Sequence, residues 1–203
     1  MKWGEAKGKY KAFISLGSTC QTAHQLQRLG LRQFAGPLDW FISPSVPDLA
    51  KLLQSRFKSF MEWSNLQLIS VIDNHYVVKD TVYQTESYHD LPLTAPWGAP
   101  YPQFKEKLSR RVNRFLKVIN YGPICFVRIQ TSKAEARHLE AALRSVTNKP
   151  FRLLIVNHHN QPTNDVIHED WGLKNVCSVK VPAGMDWRGS DRAWDTIMTG
   201  FSL

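Results

Sequence analysis

The chain has 203 residues, and 26 Lys plus Arg against 17 Asp plus Glu leave a formal charge of +9. Its composition, 43% hydrophobic and rich in Phe, Trp and Tyr, is that of an ordinary globular protein and not of a disordered chain. The length suits a single domain over residues 1–203, and no apolar run approaches the roughly 20 residues that cross a bilayer.

Lys11–Leu16 reads as a first strand, followed by a Gly17-Ser18-Thr19 turn and a helix from about Cys20 to Leu29, which Gly30 stops. Pro37, Pro44 and Pro47 break the chain next, with Asp39 and Trp40 held between them. A short helix is expected over Asp48–Phe60, because Leu49, Leu52, Leu53 and Phe57 share one side. From Leu66 to Tyr88 β-branched and aromatic residues dominate, and Asp73-Asn74 supplies a turn. That segment predicts one or two hairpins, a β-rich insertion over about 66–90. Four prolines make Leu91–Pro102 a loop.

In the second half Leu108, Val112, Phe115 and Ile119 mark one face of a helix over about Phe104–Ile119. Ile124–Ile129 is a strand, and Ser132 with Glu135 forms a capping-box pattern that opens a helix with inner residues Leu139, Ala142, Leu143 and Val146. Phe151–Val156 and Val176–Val181 are further strands. A last helix buries Trp194, Ile197, Met198 and Phe201. Strand–helix–strand over Ile124–Val156 is a βαβ unit, which implies parallel pairing. The expected fold is a three-layer α/β domain with a partly parallel, mixed sheet and the β-rich insertion in its middle.

Ligands of open parallel sheets bind beyond the carboxyl ends of the strands. Here those ends carry Ser18-Thr19-Cys20, then Arg128 to Thr131, then Asn157-His158-His159-Asn160, then Pro182 to Trp187. Cys20 stands at a helix start, where the helix dipole and free N–H groups favour a thiolate and can hold an oxyanion. Cys125 and Cys177 fall inside strands among apolar neighbours and read as core. Three widely separated cysteines, with no h-region near the amino end, fit a reducing, cytoplasmic setting. A nucleophilic cysteine needs a histidine within reach. His89 at the end of the β-rich insertion is the first choice and His158 the second. Asp39 and Asp191 are better placed to orient the imidazole than Asp90, since neighbours on a strand face opposite ways.

No zinc spacing, Walker loop or Gly-x-Gly-x-x-Gly turn is present, so neither a metal nor a cofactor is expected. Lys105–Lys117 holds six basic residues and one acidic, +5 of the total +9. Such a run is commonly a solvated face, and a row including Arg110 and Arg114 could also bind phosphate or carboxylate. Nucleic acid is disfavoured, because no recognition motif accompanies the basic residues.

Gly17-Ser18-Thr19-Cys20, Leu31-Arg32, Pro37-Leu38-Asp39-Trp40, Tyr88-His89-Asp90, Arg110-Arg111-x-x-Arg114-Phe115, Phe126-Val127-Arg128 and Trp187-x-Gly189-x-Asp191-x-x-Trp194 occur in an order that resembles the domain of unknown function 1796, a family described as papain-like cysteine peptidases. The resemblance implies Cys20 as nucleophile, His89 as general base and Asp39 as the orienting acid. Leu38 and Leu91 depart from it, standing where phenylalanine is expected. A papain-like core would set the cysteine helix against an antiparallel sheet, whereas the periodicity of the second half implies a parallel one.

Three functions are consistent with these residues. The first is a cysteine-dependent hydrolase or acyl transferase. The second is a glycosyltransferase-like enzyme, acting on phosphorylated or nucleotide-linked sugars, in which Ser18, Arg110, Arg114 and Arg128 hold phosphates, with Asp39, His89 or Asp191 as base. The third is a non-enzymatic module that binds an anion or partner. The charge excess favours a small-molecule or peptide substrate that is anionic, with Ser18, Arg110, Arg114, Arg128, His158 and Asp191 as its possible contacts.

Overall fold

All six residues of Ile124–Ile129 are buried, which requires a strand covered on both faces. The computed structural model describes residues 1–163 and 165–203 and places this strand inside a five-stranded mixed sheet. In chain order the elements are β1 (Gly8–Lys9), β2 (Ala12–Ser15), α1 (Gln21–Arg28), β3 (Phe41–Ile42), α2 (Val46–Gln54), β4 (Leu66–Ile72), β5 (His75–Asp80), β6 (Thr85–Ser87), α3 (Tyr101–Val118), β7 (Ile124–Ile129), α4 (Lys133–Val146), β8 (Phe151–His159), β9 (Ile167–Glu169), β10 (Val176–Pro182), α5 (Asp191–Met198) and β11 (Phe201–Ser202).

The main sheet runs β2-β7-β8-β10-β9. The first four strands are parallel and β9 is an antiparallel edge. The parallel sheet read from the βαβ pattern is therefore present, and the antiparallel core that the resemblance implied is not. The insertion forms a second, antiparallel sheet, β3-β6-β5-β4.

Alternation along the parallel strands sorts side chains into two layers. Ile14, Phe126, Leu153 and Ile155 pack under α2, α3 and α4, through Leu49, Leu52, Leu108, Phe115, Leu139 and Leu143. Phe13, Val127, Leu154, Val179 and Val181 face the opposite layer, which α1 and α5 cover with Leu26, Trp194 and Ile197. Trp3 closes that layer and donates from its indole nitrogen to the Ile197 carbonyl at 2.8 Å. Among the described residues no helix is long and apolar enough to cross a membrane.

The Ser132–Glu135 capping box forms as its spacing predicts. Several boundaries differ from expectation, and the last helix, α5, ends at Met198, so that Phe201 lies on the short strand β11 beyond Gly200, whose φ is positive. The helix α2 stops at Gln54, short of Phe60, because Arg56, Phe57, Ser59 and Met61 take left-handed backbone conformations that end it. Phe57 and Phe60 still reach the core from these turns. The helix α3 begins at Tyr101, with Pro102 in its first turn, where a missing N–H costs nothing. The strand β8 continues past Val156 to His159, held by parallel pairing of His158 with Val181 and His159 with Pro182.

Candidate functional site

A pocket of about 910 Å³ opens at the carboxyl ends of the parallel strands. Thr19, Cys20 and Gln21 enter it from the β2–α1 junction, Ile129 and Gln130 from the end of β7, and His158 from the end of β8. The loop after β10 adds Ala183 to Trp187, Trp40 and Ile42 come from around β3, and the β-rich insertion walls the remaining side with Tyr88 and His89. The four parallel strands stand in chain order, so no reversal among them opens this crevice. The second sheet, standing beside the first, does so.

Of the residues singled out in the sequence, the pocket gathers Cys20, His89 and His158. Ser18, Asp39, Arg110, Arg114, Arg128 and Asp191 do not line it, and neither does any lysine or arginine. The anionic substrate suggested by the charge excess meets no cation in the lining.

Cys20 is the N-cap of α1 and half-buried. Burial pushes its thiol pKa up, and the Asp90 and Asp39 carboxylates push in the same direction; the residue's own backbone N–H opposes them. Loss of solvent is the largest of these effects and works against the thiolate that a helix start favours. Cys125 and Cys177 are fully buried in the sheet, where burial raises both thiols, Cys177 to about 12. Neither is a chemical candidate.

His89 is exposed, with the His75 ring set edge-on at a centroid distance of 6.0 Å. His158 lies deeper: its Nε2 is buried without a hydrogen-bond partner among the described residues, and burial, helped by neighbouring His159, lowers its pKa. At neutral pH it is an uncharged imidazole with a free nitrogen in the pocket wall. His159 points elsewhere, bonding Asp165 O at 2.9 Å and accepting from Gln161 N–H at 3.3 Å.

Asp39 is a loop staple. Its Oδ2 accepts from Arg32 Nη1 at 2.6 Å and from the Gly36 N–H at 2.8 Å, and Arg32 in turn lies 5.6 Å over the Trp40 ring. Asp90 accepts from Ser87 Oγ at 2.9 Å and pairs with Lys107 at 2.6 Å. Asp191 joins α5 to α1, where Gln25 donates to it at 2.7 Å and Arg28 pairs with it at 3.2 Å. Arg110 pairs with Glu106 on its own helix.

Ser18 Oγ donates to Gln130 Oε1, and the Ser18 carbonyl accepts from Ser43 N–H at 2.8 Å. Arg128 is fully buried behind this junction, its guanidinium bonded to Leu16 O, Ser43 O and Oγ, and Thr131 Oγ1. Sequence reasoning missed Gln21, next to Cys20, which is buried and whose Oε1 has no partner among the described residues. Its place as the first helical residue after the cysteine was the available signal. Among the described residues no three His, Cys, Asp or Glu side chains cluster as metal ligands would.

The family described as "Putative papain-like cysteine peptidase" (DUF1796) matches residues 11–161. The chain belongs to this family. The matched stretch runs from β2 to the end of β8, so it contains Cys20, His89 and His158 but ends before Trp187 and Asp191. An uncharacterized protein, R408, of Acanthamoeba polyphaga mimivirus is 34% identical over 134 residues, covering 57% of this chain and 60% of that protein. The chain thus spans about 60% of the length of that relative. No solved structure matches the chain.

Proposed function

We propose that the protein is a cysteine-dependent hydrolase or acyl transferase, with Cys20 as nucleophile and His89 as general base. The observation that carries this reading is the sharing of one pocket by Cys20, at a helix start, and His89, with no lysine or arginine in the lining. The family description points the same way.

Because burial keeps the Cys20 thiol protonated, its proton must leave during attack, not before it. His89 takes that proton as Sγ bonds the carbonyl carbon, and the carbonyl electrons move to oxygen. The oxyanion then faces the N-terminus of α1, whose aligned dipoles favour negative charge. Collapse expels the leaving group, which receives the proton from the His89 imidazolium. Water, or an acceptor, attacks the resulting thioester, with His89 again as base. His158 adds a neutral imidazole to the pocket wall. Asp39 acts as a positioning residue, fixing the loop that carries Trp40.

The test is a p-nitrophenyl acetate reaction followed by mass spectrometry. A burst of nitrophenolate with one acetyl group on Cys20 is expected. Cys20→Ser should abolish the burst, and His89→Ala should slow it by about a hundredfold, as for loss of a general base. Acetylation elsewhere, or a burst that survives Cys20→Ser, overturns the reading.

A further inference from the structure

We infer that the pocket beside Cys20 is built for an uncharged aromatic group of the substrate. This rests on the reading of the pocket as the site of Cys20 chemistry. Its walls are Trp40, Ile42, Tyr88, Ile129, Met185 and Trp187. Two of these are conspicuous in the open: Trp187 is 53% exposed and Met185 wholly so. Large apolar side chains exposed together at the mouth of a pocket mark a binding surface.

Both tryptophans are held in place, each by an arginine. Arg32 lies 5.6 Å over the Trp40 ring and Arg188 lies 5.7 Å over the Trp187 ring. Trp187 also meets His24 edge-on at 5.3 Å. These arginines are themselves ion-paired, Arg32 with Asp39 at 2.6 Å and Arg188 with Asp186 at 3.8 Å. Arg32 is thereby committed to the buried Asp39, and Arg188, exposed and loosely paired, lies against Trp187 without lining the pocket.

The two ionisable groups deepest in the lining, Cys20 and His158, are both driven toward their neutral forms by burial. An anionic ligand would lose its water here and meet no lysine or arginine, and the single carboxylate of the lining, Asp186, lies at the exposed rim beside Arg188 at 3.8 Å. An aromatic ring gains edge and face contacts with indole and phenol rings that an alkyl group of equal area does not. At about 910 Å³ the pocket lies near the upper end of the range of roughly 300–1,000 Å³ for small-molecule sites, so it holds a ring together with the flanking acyl linkage.

The test uses 3-phenylpropionamide, 3-phenylpropionate, 3-cyclohexylpropionamide and propionamide as probes, with binding to the Cys20→Ser protein measured by saturation-transfer NMR and tryptophan fluorescence. Working on Cys20→Ser separates recognition from chemistry. The phenyl amide should bind about tenfold more tightly than its carboxylate and severalfold more tightly than the cyclohexyl amide, while propionamide should not saturate. Trp187→Ala should weaken the phenyl amide by about fivefold or more, and Trp187→Phe should restore most of that loss. Circular dichroism confirms that the variants fold. Equal or tighter binding of the carboxylate, equal binding of the cyclohexyl amide, or no effect of Trp187→Ala overturns the inference. Acetylation of Cys20 without any preference for the ring defeats this inference and leaves the proposed chemistry standing. Ring binding without acetylation does the reverse.

Discussion

Arg128 grips Ser43 by both of its oxygens, Nη1 on the hydroxyl at 3.2 Å and Nη2 on the carbonyl at 2.7 Å. The same guanidinium donates to the Leu16 carbonyl and to Thr131 Oγ1, and no carboxylate lies within ion-pair distance among the described residues. Burial lowers its pKa to about 10, so it remains charged at neutral pH, held by neutral oxygens alone. Leu16 immediately precedes the Gly17–Cys20 turn, and Ser43 N–H bonds the Ser18 carbonyl, so this one side chain locks the cysteine turn to the β3 loop.

Arg128→Lys keeps the charge and loses the fork. One ammonium cannot reach Leu16, Ser43 and Thr131 together, so buried acceptors are left unbonded at about 2–3 kcal/mol in total. Urea denaturation should show that loss. Unchanged stability would mean that the cysteine turn holds itself.

The alkylation of Cys20 by iodoacetamide should have a pH midpoint above that of an exposed cysteine, since burial and the nearby carboxylates all disfavour the thiolate. Removing one negative charge with Asp90→Asn should move the midpoint down. A midpoint below the exposed value in the wild type would restore the helix-dipole expectation.

Lys107 on α3 bonds the nearly buried Asp90 carboxylate, whereas Lys117, ten residues on, is exposed and makes no ion pair among the described residues. Lys107→Ala should therefore cost about 1–2 kcal/mol, a buried-pair loss reduced by the partial exposure of the lysine. Lys117→Ala should be silent. Thermal unfolding of both variants tells the two apart.

His158 has a lowered pKa, so the unfolded chain takes up its proton at higher pH than the folded one. Stability is present in full above the ordinary histidine range and falls as pH drops from about 6.5 through the lower folded-state value. His158→Gln should flatten part of that slope between pH 7 and 5 in urea titrations. An unchanged slope would place the titrating group elsewhere.

Much of this arrangement is legible in the residues. Ile124–Ile129 is apolar enough to demand a central strand, and the carboxyl-end rule for parallel sheets brings Cys20 and His158 to one edge without knowledge of the topology. His89 follows from its place at the end of the insertion. Other features leave no periodic trace. β9 is three partly exposed residues, and β1 and β11 pair over two each, too short for any alternation. The end of α2 depends on left-handed residues such as Phe57, whose side chain still reads as helical core. Arg128 falls on a buried strand position where a charged residue is not expected, and only the topology reveals the oxygens around it. The basic row of α3 is half neutralised, because Lys105, Lys107 and Arg110 are each paired with an acidic neighbour, while Arg111, Arg114 and Lys117 make no ion pair among the described residues.

The central claim, that Cys20 is the nucleophile served by His89, is tested most directly by the relative rates at which limiting iodoacetamide labels the three cysteines of the native protein, with and without His89→Ala. Cys20 should be labelled at least a hundredfold faster than the buried Cys125 and Cys177 (roughly the effect of burying a thiol as against exposing it to a base) and should slow severalfold in His89→Ala. Equal, slow labelling of all three, or a Cys20 rate that His89→Ala leaves unchanged, would contradict it.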